Sequence, residues 1–275
     1  MRQEPVLLIG GGVGPMAGVL LHAKIIDNTV TDGTDQSHFT VHHHSCSAVV
    51  HDRTEYLKNV SSGTVDPGDE TINPGYAMAG VFTEAAKALN GAPAVAGIPC
   101  NTFHAPVIYD VFARTVNGRN LPIRTIHMLN EATGLIDQRL GRAPGSGGKG
   151  EKIGILCTIG TRDSGVYDRL LTAAGYVPFY LPPEEHAEVH EAIYNREWGI
   201  KGASPVTAKA VDVVTGKVER LAGEGAAAVI LGCTELPIAL GGLSHKGTPL
   251  VDPVLALARA LIREANPARL KPMEP

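Results

Sequence analysis

Short β-forming runs alternate with longer amphipathic segments along the whole chain, and this limits the possible folds more than any other feature. Parallel strands cannot be joined by tight turns and need a crossover, usually a helix, so the pattern calls for an α/β fold with parallel sheets. The expected strands are Val6 to Ile9, Phe39 to His43, Ala94 to Ile98 and Ile123 to Ile126. A second set covers Ile153 to Cys157, Val177 to Leu181, Ala227 to Leu231 and Pro249 to Val251. Between them lie helices. Ser204-Pro205 reads as a helix start, with Val206, Ala210, Val214, Val218 and Leu221 recurring on one face. Asp252-Pro253 opens the last helix, with Ala256, Leu257, Ala260 and Leu261 turned inward. Tyr194 and Trp198 share a helical spacing and read as packing residues.

The pattern occurs twice. "VLLIGGGVGPMAGVLLHAKI" and "KIGILCTIGTRDSGVYDRLL" are each strand, small-residue turn and helix, and later in each half a strand ends in a cysteine: "AGIPCNTFHAP" and "VILGCTELPIAL". This predicts two pseudo-symmetric lobes, each a parallel sheet flanked by helices. Residues 1–128 plus 253–275 form the first lobe with Cys100, and residues 129–252 the second with Cys233. Ligands of open parallel sheets sit at the carboxyl ends of strands, so the active site is expected in a cleft between the lobes. "GRAPGSGGKGEK" (Gly141 to Lys152) reads as a flexible connector.

Composition narrows the function classes. The 275 residues carry 24 basic and 28 acidic side chains without a long run of either sign, which argues against a nucleic-acid partner. Hydrophobic residues make up 44% and charged residues 19%, as in a globular protein. The longest apolar stretches, such as Val254 to Ile262, are interrupted or too short to span a bilayer, and the opening "MRQEPVLLIGGG" reads as a first strand rather than a signal peptide. Four cysteines without C-x-x-C spacing predict reduced thiols in the cytoplasm.

Two motifs invite readings that the surrounding residues do not support. "GVGPMA" (Gly12 to Ala17) follows a strand as a dinucleotide-binding turn does. The second strand, however, ends in His43, His44 and Ser45 where an acidic residue would hold a ribose. The turn is better read as backbone lining a pocket. In "VHHHSCS", strand geometry puts His42 and His44 on one face and His43 on the other, so at most two converge, and no metal is expected. Cys46 and Cys157 read as small core residues.

Cys100 and Cys233 are different because each stands at a strand end, with polar residues and then a proline after it. A strand-to-helix junction favours the thiolate through backbone N–H groups and the helix dipole. Two thiols on opposite faces of one substrate suit a 1,1-proton transfer: one removes a proton from a stereocentre and the other returns one to the opposite face. The carbanion needs donors and cations already in place. Asn101, Thr102 and Thr234 are candidate donors; Arg53, with Asp52 beside it to orient it, and Lys201 are candidate cations. A double-bond isomerase of dicarboxylates also uses two cysteines and remains open, as does a decarboxylase, which the second cysteine disfavours. A non-catalytic amino-acid-binding protein would not need both. A redox pair would require Cα atoms within about 7 Å, too close for a substrate to enter.

These residues resemble the cofactor-independent aspartate/glutamate racemases, most closely the aspartate branch. The similarity rests on "IGGGVGP", "DRT" at Asp52 to Thr54, "PCNTFH" at Pro99 to His104, "CTIGTRDSGVYDRLL", Lys201 and "GCTELP" at Gly232 to Pro237. It implies that Cys100 and Cys233 are the acid/base pair and that Arg53 and Lys201 contact substrate carboxylates. Asn101, Thr102 and Thr234 would donate hydrogen bonds, and the Val13 backbone would line the pocket. It also implies no cofactor, an acidic amino-acid substrate, a homodimer and, by analogy with the glutamate enzymes, Cys233 acting on the L enantiomer. Ser47 and His51 stand where the family often has prolines, and Asn59 to Tyr76 is longer than usual. Both departures lie near Arg53 and bear on which substrate is taken.

Overall fold

The computed structural model describes residues 4–273. In chain order the elements are β1 (Val6–Gly11), α1 (Pro15–Asn28), β2 (Val41–Ser45), α2 (Arg53–Ser61), α3 (Pro74–Ala88), β3 (Ala94–Gly97), α4 (Pro106–Gly118), β4 (Ile123–Ile126) and α5 (Met128–Arg139). They continue with β5 (Lys152–Cys157), α6 (Ile159–Asp163), α7 (Val166–Ala173), β6 (Val177–Phe179), α8 (Pro183–Tyr194), α9 (Ala208–Gly223), β7 (Ala226–Gly232), α10 (Leu236–Leu240), β8 (Ser244–His245), β9 (Thr248–Val251) and α11 (Pro253–Ala265). The chain divides into two compact units, Met1–Met128 with Val254–Pro275, and Leu129–Pro253. No helix among the described residues is long and apolar enough to cross a membrane.

The first unit is built on a four-stranded parallel sheet in the order β2-β1-β3-β4. Every residue of β1 and β3 is buried, which is why both read as unbroken apolar or small runs. On one face Phe82, Phe103, Ile108 and Phe112 form the core; the rings of Phe82 and Phe112 meet edge to face at 5.0 Å. Helices α3 and α4 come close at Gly75, where a Cβ would lie 2.4 Å from the Ile108 carbonyl oxygen. Gly97 admits Leu257 of α11, whose Cδ1 would lie 2.7 Å from a Cβ there.

The second unit holds five strands in the order β6-β5-β7-β9-β8, parallel except for the short β8–β9 pair. Numbered from the start of each unit, the first four principal strands follow the same order, second-first-third-fourth, in both sheets. The duplication in the sequence is thus a duplication of topology. The core of this unit includes Leu156, Val189, Ile193, Val214, Val218, Leu221 and Leu231.

Several local expectations need correction. Helix α9 starts after Thr207, whose hydroxyl accepts the Ala210 amide at 3.2 Å, and not at Ser204-Pro205. Strand β2 begins two residues later than the apolar run suggests; Phe39, ahead of it, is buried with Arg269 4.7 Å over its ring. The glycine-rich connector after α5 is pinned. Arg142 N–H donates to the Asp137 carbonyl at 2.7 Å, Gly145 N–H to the Asp137 carboxylate at 2.7 Å, and Gly148 N–H to Ala174 O at 2.7 Å, while Arg142 pairs with Glu151. Tyr194 is partly exposed and faces Lys201 rather than the core.

Candidate functional site

In each sheet the chain leaves in opposite directions from two neighbouring strands, β1 and β3 in the first unit and β5 and β7 in the second. Crevices at the carboxyl ends of such strands are where open α/β sheets bind ligands. In the first unit this crevice collects the glycine turn after β1 and the Cys100 segment after β3. In the second it collects Thr158 after β5 and Cys233 after β7.

The glycine turn is held by sterics and by Arg53. Gly12 has φ +87°, and a Cβ there would lie 2.6 Å from the amide nitrogens of Cys46 and Ser47, so only glycine fits. Asp52 caps α2 by accepting the Glu55 amide at 2.8 Å, and the next side chain, Arg53, turns back across the unit. Arg53 Nη2 donates to the Val13 carbonyl at 2.8 Å and Nη1 to the His51 carbonyl at 3.0 Å, while Nε–H is buried without a partner among the described residues. The arginine is therefore oriented by backbone carbonyls, and Asp52, expected to orient it, is a helix cap. The Asn59 to Tyr76 stretch folds back onto the outer side of α2, where Tyr56 donates to Pro67 O at 3.3 Å. A cavity of about 160 Å³ lies there, lined by His51, Asp52, Glu55, Tyr56, Asn59 and two aliphatic side chains.

Cys100 is a buried, free thiol three residues past β3, followed by buried Asn101 and Thr102. His104, which the sequence pattern did not single out, fixes this turn. Its Nε2 accepts the Met128 amide at 3.2 Å, so Nδ1 carries the proton and donates to the Cys100 carbonyl at 2.8 Å. Burial, together with neighbouring His127, pushes the His104 imidazole well below its ordinary range and keeps it neutral. The ring stacks on Tyr109 at 4.9 Å.

Cys233 directly follows β7 and is likewise buried and free. Its Sγ donates to Glu235 Oε2 at 3.0 Å, and Thr234 Oγ1 donates to the same oxygen at 3.1 Å. Glu235 Oε1 forms a salt bridge with Lys201 Nζ. Lys201 is delivered by a tight loop after α8: Ile200 N–H donates to Ala192 O at 2.8 Å and Lys201 N–H to Ile193 O at 3.0 Å. Gly199 and Gly202 make the loop possible, since a Cβ at either would lie 2.6 Å from the Asn195 carbonyl oxygen. Burial pushes the Cys233 thiol well up, reinforced by the Glu235 carboxylate, against the expectation that a strand-to-helix junction would favour its thiolate. Burial alone would also raise the Glu235 carboxyl, but Lys201, Cys233 and Thr234 together hold it below its usual value.

Glu235 is the second residue of these turns absent from the sequence-based candidates. A signal was present: a carboxylate inside the apolar run "VILGCTELPIAL" must find a cation or donors when buried. Cys157 is a fully buried thiol that burial raises far above its ordinary value. His43 is wedged between Gly11 and Gly18, where added Cβ atoms would lie 2.4 and 2.3 Å from its Nε2, while His42 and His44 share the other face of β2. Among the described residues no three His, Cys, Asp or Glu side chains are grouped to hold a metal ion.

Two parallel sheets of one topology, each with a buried free cysteine beyond an inner strand, are the scaffold of this α/β protein. The chain belongs to the Asp/Glu/Hydantoin racemase family, whose model matches residues 11–261. Among solved structures it is similar to the aspartate racemase of Picrophilus torridus, at 21% identity and a TM-score of 0.69, covering 96% of this chain and 94% of that one. An aspartate racemase homologue from Pyrococcus horikoshii matches at 21% identity and a TM-score of 0.63, covering 96% and 99%. The glutamate racemase of Francisella tularensis, solved with D-glutamate, matches at 14% identity and a TM-score of 0.58, covering 100% and 86%. At these identities the likeness is one of fold.

Proposed function

We propose that this chain interconverts the L and D forms of an acidic amino acid, aspartate in preference to glutamate, by proton transfer between Cys100 and Cys233 without a cofactor. The observation that carries the reading is the repeated placement of a buried, free cysteine beyond an inner strand, with Asn101 and Thr102 after one and Thr234 after the other. One cysteine, as thiolate, takes the α-proton: the C–H bond breaks, an S–H bond forms, and the electron pair spreads into the α-carboxylate. The other cysteine, as thiol, gives its proton to the opposite face and becomes the thiolate for the reverse turnover.

The dianionic intermediate needs preorganised donors and cations. Asn101, Thr102 and Thr234 serve as donors, the Val13 backbone lines the pocket, and Arg53 and Lys201 receive the two substrate carboxylates. The unused Arg53 Nε–H supports its part in this. Four free cysteines suit a reducing cytoplasm, and a homodimer is the proposed assembly.

Proton NMR of the purified chain with L-aspartate, and separately L-glutamate, in heavy water tests the reading. Loss of the α-proton signal with appearance of the D enantiomer is expected, faster for aspartate. No exchange with either amino acid would refute it.

A further inference from the structure

Glu235 carries a buried carboxylate that serves two partners at once, one on each oxygen. Oε2 accepts from the Cys233 thiol at 3.0 Å and from Thr234 at 3.1 Å, while Oε1 is paired with Lys201. The side chains of the pair differ sharply in exposure, 28% for Lys201 against 5% for Glu235. An incoming anion therefore meets the lysine and not the glutamate. Around the thiol the charged or titratable groups are Glu235, Lys201 and the buried Tyr167.

We infer that Glu235 is a positioning residue with two tasks in the resting chain: it keeps the proton on Cys233, and it occupies Lys201 until a substrate carboxylate competes for that ammonium. A carboxylate 3.0 Å from sulfur can accept only from a thiol; a thiolate there would face a like charge in a desolvated setting. Cys233 therefore starts as the proton donor, and Cys100 would make the first abstraction. When the substrate carboxylate takes Lys201, the lysine exchanges one ion pair for another, and Glu235 keeps the hydrogen bonds from Cys233 and Thr234. The inference rests on the racemase reading for its second task only; the protonation of Cys233 can be measured whether or not the chain racemises anything.

The test combines site-resolved alkylation with kinetics. Wild type and Glu235→Gln are treated with iodoacetamide at neutral pH, and labelling is read at each of the four cysteines by mass spectrometry. Cys233 should be labelled about tenfold faster in Glu235→Gln, as for a thiol made more acidic by one pH unit, with Cys157 still protected. Acidic amino acids should show a lower KM, because Lys201 loses its competing carboxylate, without a matching rise in kcat. Unchanged or slower labelling of Cys233, or an unchanged KM, would overturn the inference. If Glu235→Gln exposes Cys157 and so fails to fold, Glu235→Asp decides: it keeps the charge but draws the carboxylate back from the thiol, and Cys233 should be labelled faster than in wild type; unchanged or slower labelling would overturn the proposal. Wild type that racemises neither aspartate nor glutamate refutes the proposed function, and the labelling rates then decide the role of Glu235 by themselves.

Discussion

Arg53 Nη2 and the carbonyl oxygen of Val13, forty residues apart in sequence, are joined by a 2.8 Å hydrogen bond. The residue proposed to receive a substrate carboxylate is thus the one that fixes the turn lining the same crevice. Lysine cannot reproduce this, having one point donor group where arginine has a planar fork. Arg53→Lys should raise KM for the acidic substrate roughly tenfold, about 1.4 kcal/mol of binding, and leave kcat less affected. Steady-state kinetics with both enantiomers checks this; an unchanged KM removes Arg53 from substrate contact.

The two thiols should be individually indispensable. Cys100→Ser and Cys233→Ser each replace the acid/base atom with a hydroxyl of far higher pKa, and racemisation should fall by about 10²-fold or more. Polarimetry or chiral chromatography from each enantiomer reads this out. Substantial activity in either variant would end the two-base scheme.

His104→Phe keeps the aromatic volume and removes both hydrogen bonds, leaving the Cys100 carbonyl and the Met128 amide unpaired and buried. Each orphaned group costs about 1–3 kcal/mol, so urea denaturation should show a loss of several kcal/mol. His104→Asn, whose side-chain amide can still donate near the Nδ1 position, should recover part of the loss. Equal stability of wild type and His104→Phe would show that the imidazole does not hold the turn.

Stability should fall on acidification through a defined window. Burial, first of all, depresses His127 from 6.5 to about 4, so below pH 6.5 the unfolded chain takes up a proton that the folded chain refuses. The folded state is then favoured above pH 6.5 and loses ground as pH falls towards 4. The gap caps the His127 contribution at roughly 3 kcal/mol. Thermal unfolding at several pH values should show this slope, and His127→Gln should reduce it, leaving the part due to His104; the same slope in both proteins would assign it to other groups.

Gly75→Ala tests the approach of α3 and α4. The added methyl meets the Ile108 carbonyl at 2.4 Å, a backbone atom that cannot rotate away. Overpacking of this kind costs about 1–3 kcal/mol, which the thermal midpoint would report.

Strand and helix periodicities are local, and they showed in the sequence: β1, β3, β5 and β7 fall where unbroken apolar runs announce them, because both faces of a parallel sheet are buried. The repetition of the pattern, and a cysteine near the end of one strand in each half, were equally legible. Boundaries set by distant partners were not. Phe39 reads as a strand residue but lies ahead of β2 under Arg269, and Thr207, not Ser204, caps α9. Only the tertiary structure decided what the charged residues do. Arg53 found its acceptor forty positions away, and Glu235 found Lys201 at a separation of thirty-four. A side chain's periodicity depends on its immediate neighbours along the chain, whereas its charge is paired by whatever the fold brings within about 4 Å. No local pattern encodes that choice.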